Sequence, residues 1–214
     1  MSMSATAQTL IEELGTTSIK MGELKKRAKA IKTDHELALA LWTSGAFFPR
    51  MLAVLVFDKK LLGQAAIDGL AADMLSHNDK ERDQLADWLM ANQLMKSKTL
   101  TALLKSWRTN PSPVLRRLFW YHQARLRWTG QASPSNTNEL LDWLERDIAT
   151  EEPVVQWAMN FCAGWLGIYQ PALRSRCVAV GETTGLYKDA VVPRNCTPSY
   201  LPEFIRIEVE KRSG

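Results

Sequence analysis

Residues 88–138 read WLMANQLMKSKTLTALLKSWRTNPSPVLRRLFWYHQARLRWTGQASPSNTN. The stretch contains no Asp or Glu. It carries Lys96, Lys98, Lys105, Arg108, Arg116, Arg117, Arg125 and Arg127, with four of the chain's eight tryptophans, Trp88, Trp107, Trp120 and Trp128. A solvated helical face normally mixes both signs of charge, so a run of one sign this long suggests a surface shaped to meet something anionic. Nucleic acid is the commonest such partner, and indoles among guanidinium groups suit it by stacking on bases or closing over a cationic one. The plainer reading is a basic, well-packed helical segment whose tryptophans are core. Its punctuation is helical: one segment from about Ser97 to Trp107, a turn at Asn110-Pro111-Ser112-Pro113, a helix from Val114 to Trp128, then a polar loop to Asn138.

Outward from this stretch the helical period persists. From Gln8 to Ser76 apolar positions recur at three and four residues, as in Leu37, Leu41, Met51, Leu52, Leu55 and Val56. Thr33 or Asp34 is placed to cap a helix ending at Trp42, Pro49 sits in the first turn of the next, and Asp58 is placed to cap one through Met74. Asn78 or Asp79 opens a helix through Trp88 and Leu94. Thr137 or Asn138 caps one through Ile148, Pro153 opens the helix holding Trp157 and Trp165, and a further helix starts near Gln170 and ends near Gly181 or Gly185. Only FIRIEV, 204–209, hints at alternation of period two. The class is therefore all-α. Recurrences such as LALALW, LADWL, LTALLKSW and LLDWL favour an α-α superhelix of stacked helix pairs over a globular bundle.

At 214 residues the chain has room for one sizeable core. We expect a single helical-repeat domain over 1–190 and a tail over 191–214 that could be helix, strand or disordered. The net charge of +4 is a modest average, because acidic residues cluster at Asp79–Asp87 and Glu139–Glu152. Cys162, Cys177 and Cys196 form no CxxC pair, which supports neither a zinc site nor a disulfide framework and fits a cytoplasmic location. No leader-like or membrane-length apolar run occurs, the longest being MLAVLVF at 51–57. Gly-rich phosphate loops, GxSxG and HExxH are absent, and neither a metal nor an organic cofactor is expected. A surface or packing role outweighs a phosphate contact for His122, and an inert buried thiol outweighs a nucleophile for Cys162.

Taken in order, LALALWTSG, PRMLAVLVFD, DWLMANQL, VLRRLFW, VVQWAMNFCAGWLGIY and GLYKDAVVPRNCTP resemble the DNA alkylation repair family of HEAT-like repeat DNA glycosylases. The resemblance spans about 150 residues. It implies a solenoid whose basic concave surface holds double-stranded DNA and excises cationic alkylated purines, with tryptophans attracting the charged base and a carboxylate stabilising the oxocarbenium-like transition state. Carried onto this chain, it implies phosphate contacts from Lys96, Lys98, Lys105, Arg108, Arg117, Arg125 and Arg127, and lesion-lining rings from Trp88, Trp120, Trp157 and Phe161. Where the family's catalytic Asp would fall, one helical turn after Trp88, this chain has Asn92, and Phe161 stands where the family has a late-helix Trp. An amide supplies a dipole in place of a charge, and loss of one preorganised electrostatic group typically costs ~100-fold or more in rate, which argues against full activity. Two functions follow: a working or vestigial DNA-alkylpurine glycosylase, or a non-catalytic binding module for DNA structure or a protein partner.

Overall fold

The structure, a computed structural model, describes residues 5–15, 19–128 and 135–213. Among these there is no strand: twelve α-helices and three short 3-10 turns account for the regular structure. Contacts divide the chain into two compact units, Met1–Leu115 and Arg116–Gly214.

In the first unit the apolar run Phe47–Val56 forms helix α4, after α1 (Ala5–Gly15), α2 (Met21–Ile31) and α3 (His35–Thr43). Met51, Leu52, Ala53, Val54 and Val56 are all fully buried. A helix apolar on every side belongs in a core, and α4 is accordingly packed by α1, α2, α3 and by α6 (Asp79–Asn92). Arg50 is enclosed at the start of this run. Its guanidinium donates to the Trp42 carbonyl at 3.1 Å and the Asp73 carbonyl at 2.8 Å, and lies 5.0 Å from the Trp42 ring. The Trp42 indole in turn donates to Asp73 Oδ2 at 2.7 Å, so the Leu-Trp and Arg-led motifs tie α3 and α4 to α5 (Gln64–Met74).

Caps legible in the sequence hold where they are local. The Asp34 and Asn78 side chains accept from Leu37 N and Glu81 N, each at 3.0 Å, and open α3 and α6. Ser97 caps α7 (Lys98–Leu103), but the chain then tightens into a 3-10 turn, Leu104–Thr109, so the expected single helix to Trp107 is two pieces. Asp58 caps no helix: its carboxylate accepts from Lys60 N within a turn, and α5 starts after Gly63.

The second unit begins within α8 (Pro113–Trp128) and contains α9 (Thr137–Asp147), α10 (Pro153–Tyr169), α11 (Arg174–Thr184) and α12 (Leu201–Ser213). Neither Thr137 nor Asn138 caps α9; Asn136 stands at that position, without a side-chain cap bond. Of the expected polar loop, residues 129–134 lie outside those described. Pro153 occupies the first turn of α10, as its missing N–H allows, and Gly185 ends α11 with φ +61°.

The segment read as a tail ends in helix α12, which packs on α10 and α11. Three glycines make the approach possible. A Cβ at Gly164, Gly167 or Gly181 would come 2.6 Å from Phe204, Ile205 or Pro202 respectively, inside contact distance. Asn160 adds a hydrogen bond to the Ser199 carbonyl at 2.8 Å, fixing the entry to α12.

Candidate nucleic-acid interface

In the first unit the motif carrying Trp88 and Asn92 sits on the last two turns of α6. The Trp88 indole donates to the Met51 carbonyl at 3.0 Å, which ties it to α4. Lys25, from α2, places its ammonium 5.2 Å from the Trp88 ring centroid, so the ring already carries a cation. Asn92 Nδ2 donates back to the Trp88 carbonyl at 2.9 Å. The Asn92 side chain is thus a neutral amide hydrogen-bonded to its own helix. The next residue, Gln93, is buried and caps the end of α4 through Val54 O at 2.6 Å.

The cations of the acid-free stretch separate into distinct groups. Lys96, Lys98 and Lys105 are exposed, whereas Arg108 and Arg125 are half-buried. Arg116 is bound to carboxylates, 3.1 Å from both Glu151 and Glu152. Arg117 and Arg127 are each only 2 % exposed, which corrects their expected placement as phosphate contacts: a guanidinium without solvent-facing surface cannot reach a backbone phosphate from this conformation. Arg127 is held by Gln123 O at 2.8 Å and by Asn136 Oδ1 and Thr137 Oγ1 at 3.2 Å, bracing the start of α9. Burial lowers its pKa, opposed by its interaction with Cys162.

The aromatic expectations divide in the same way. Trp120, 2 % exposed and edge-on to Phe119, is a core ring and lines no open site, a second correction. Trp107 is also core, its indole donating to Gln64 Oε1 at 2.8 Å. Trp157 and Phe161 do come together: on α10 they stack at 5.3 Å with 13° between planes, and Tyr121 of α8 stacks on Phe161 at 5.8 Å and 11°. Arg117 packs its guanidinium 4.9 Å from the Trp157 centroid. The sequence reading missed Tyr121, Trp165, Tyr169, Lys25 and Arg212 as neighbours of these rings. For Trp165 and Tyr169 a signal was available, because Trp157, Phe161, Trp165 and Tyr169 recur every fourth residue.

His122 is buried, its Nδ1 without a hydrogen-bond partner, and burial followed by the Arg125 charge lowers its pKa to about 4. It packs as a neutral ring. Cys162 is buried and its thiol is pushed up to about 12 by desolvation, as an inert core residue requires. Among the described residues no cluster of His, Cys, Asp and Glu could hold a metal ion, and no helix is long and apolar enough to cross a membrane.

Helices in this order and packing define an all-α fold of HEAT-like repeat type. A solved structure of "a new family of proteins related to the HEAT-like repeat DNA glycosylases with affinity for branched DNA structures" is similar to this chain with a TM-score of 0.68 at 19% identity, covering 98% of this chain and 89% of that one. Residues 2–182 match the family described as DNA alkylation repair enzyme, and the chain belongs to that family. No curated protein matches it.

Proposed function

We propose that this protein is a DNA-binding member of the alkylation-repair family whose glycosylase chemistry is vestigial. The observation that carries the reading is the state of the Trp88–Asn92 turn: an amide bonded to the Trp88 carbonyl where the family has a carboxylate, under an indole already faced by Lys25. A stretched glycosidic bond develops positive charge on the sugar, and only a fixed anion or strong dipole aimed there lowers the barrier. Asn92 supplies neither in this conformation. Lys25 also repels a cationic purine that would stack on Trp88.

Binding is a separate matter from chemistry. Lys96, Lys98 and Lys105 stand exposed in a stretch without acidic residues, an arrangement suited to phosphate contacts on double-stranded DNA, with Arg108 and Arg125 beside them in sequence. The similar solved structure has affinity for branched DNA, which favours reading DNA structure over removing one lesion. On this reading residues 1–190 work as one DNA-binding domain in the cytoplasm.

Release of methylated purine from alkylated duplex DNA under single-turnover conditions tests the chemistry. The wild type is expected to release it at least ~100-fold more slowly than Asn92→Asp, the typical worth of one preorganised charge. A wild-type rate equal to or above that of the variant would sink the vestigial reading.

A further inference from the structure

Helix α10 inverts the usual division of residues between core and surface. Its 17 residues include no charged side chain. Its buried side is built largely from small or aliphatic groups, Ala158, Cys162, Ala163, Gly164, Leu166 and Gly167 among them. From Trp157 onward, every α10 residue that is not buried is aromatic: Trp157, Phe161 and Trp165 are partly exposed and Tyr169 is 40 % exposed. Large rings are normally the first residues a core claims, because each buries more apolar area than an alanine or cysteine can. Here the core takes the small residues and leaves the rings part-exposed, packed also against Tyr121, Trp128 and Phe204.

The four rings stand one helical turn apart and form a graded ladder. Trp157 and Phe161 are parallel, as are Trp165 and Tyr169 at 5.7 Å and 15°, while Phe161 and Trp165 meet edge to face at 5.9 Å. A guanidinium closes each end. Arg117 lies 4.9 Å from Trp157, and Arg212 of α12 lies 5.2 Å from Trp165 and 5.8 Å from Tyr169. Arg212 is locked there by Glu208 at 2.6 Å and by the Tyr169 hydroxyl at 3.4 Å. Trp165 also differs from the framework tryptophans: Trp42, Trp88 and Trp107 each donate their indole N–H to another helix or segment, whereas the Trp165 N–H has no hydrogen-bond partner. That N–H is buried, and what holds the ring is Arg212 together with the neighbouring Trp128 and Phe204 rings.

We propose that this four-ring face of α10 is a stacking surface for unpaired, uncharged DNA bases, with Arg117 and Arg212 disfavouring cationic ones. Every base offers a π-face, so a row of rings takes successive bases with little regard to sequence. A cationic alkylpurine gains extra attraction from a bare ring, but on a ring already paired with a guanidinium it meets like charge and loses that advantage. The ladder therefore selects an open single strand, as at a fork or branch, over a single alkylated base. This inference rests on the DNA-binding reading and extends it from duplex to unpaired strand.

Fluorescence anisotropy of the full-length protein tests it, with a labelled single-stranded oligonucleotide, a fork carrying an unpaired arm, and a blunt duplex of equal length. The wild type is expected to bind the fork more tightly than the duplex. Trp165→Ala should weaken single-strand binding by about tenfold, in the range of one lost base–aromatic stack, and leave duplex binding unchanged. Trp165→Phe should restore most of the loss. An oligonucleotide with a central 7-methylguanine is expected to bind no tighter than its guanine counterpart, and a clear preference for the cationic base would overturn the assignment. So would unchanged single-strand affinity in Trp165→Ala, equal loss on strand and duplex, or a wild-type dimer that the substitution dissociates. Duplex binding without any ladder dependence defeats this inference alone, whereas absence of binding to all three ligands defeats the DNA-binding reading as well.

Discussion

Arg117, Arg127 and Lys98 carry the same formal charge, but their surroundings give them different work. Arg127 spends its guanidinium on Gln123, Asn136 and Thr137, and Arg117 lies against Trp157, while Lys98 stands in solvent. The sequence shows that these residues are cationic and lack acidic neighbours; which of them turn inward depends on α9 and α10, elements encoded 10 to 40 residues further on. The inert buried thiol of Cys162 was legible from residue type, whereas the burial of His122 and of Trp120 was not. His122 yields a residue-scale prediction. Its folded pKa, about 4, lies below the ordinary histidine value of 6.5, so between those values the unfolded chain binds a proton that the folded one refuses. Stability is therefore full above pH ~6.5 and falls as the pH drops toward 4, by roughly 2 kcal/mol at pH 5. Urea denaturation at pH 7 and pH 5 should show this loss in the wild type and a smaller one in His122→Phe. Glu208 is depressed to about 2, where burial that would raise it is outweighed by hydrogen bonds from Lys211, Arg212 and Thr197. Its loss sets in only as the pH falls through 4.5, below the pH 5 of this comparison.

At the scale of elements, most helix positions could be read from local chemistry. Asp34, Asn78, Ser97 and Pro153 mark starts because a cap or a missing N–H acts within one turn, and Gly185 marks a stop because its φ is positive. Helix α12 is different. FIRIEV alternates well enough to be read as a strand, and its helical state is supported by partners far back in the chain, Gly164, Gly167 and Gly181, whose missing side chains form its seat. Gly181 is the tightest test. A Cβ there would stand 2.6 Å from Pro202 Cδ and 2.7 Å from Leu201 Cβ, neither of them the free end of a flexible chain. Gly181→Val is expected to destabilise the protein by about 1–3 kcal/mol and to raise hydrogen exchange selectively across 201–213. Unchanged exchange in that segment would mean that α12 does not depend on this seat. Because Arg212 reaches Trp165 and Tyr169 from α12, unseating the helix also removes the cation from one end of the aromatic ladder.

For the whole molecule, net charge is a poor guide and its distribution a good one. A balance of +4 describes many proteins that bind no polyanion. What distinguishes this chain is a 51-residue stretch without a carboxylate, from which Lys96, Lys98 and Lys105 remain exposed after Arg116, Arg117 and Arg127 have been drawn into ion pairs or the interior. The fold class and family were legible because they rest on the order of many weak motifs, such as the Leu-Trp and Arg-led pair that becomes the Trp42–Arg50–Asp73 network. Which cations of this stretch face outward was not legible, since packing had the final say on each arginine. The most direct measurement of the central claim is the salt dependence of duplex DNA affinity, wild type against the triple variant Lys96→Ala, Lys98→Ala and Lys105→Ala. Each phosphate neutralised adds about −0.9 to the slope of log affinity against log salt. The account predicts a steep wild-type slope that becomes shallower by roughly 2–3 in the triple variant; a slope unchanged by losing all three lysines, or no DNA binding by the wild type at low salt, would contradict it.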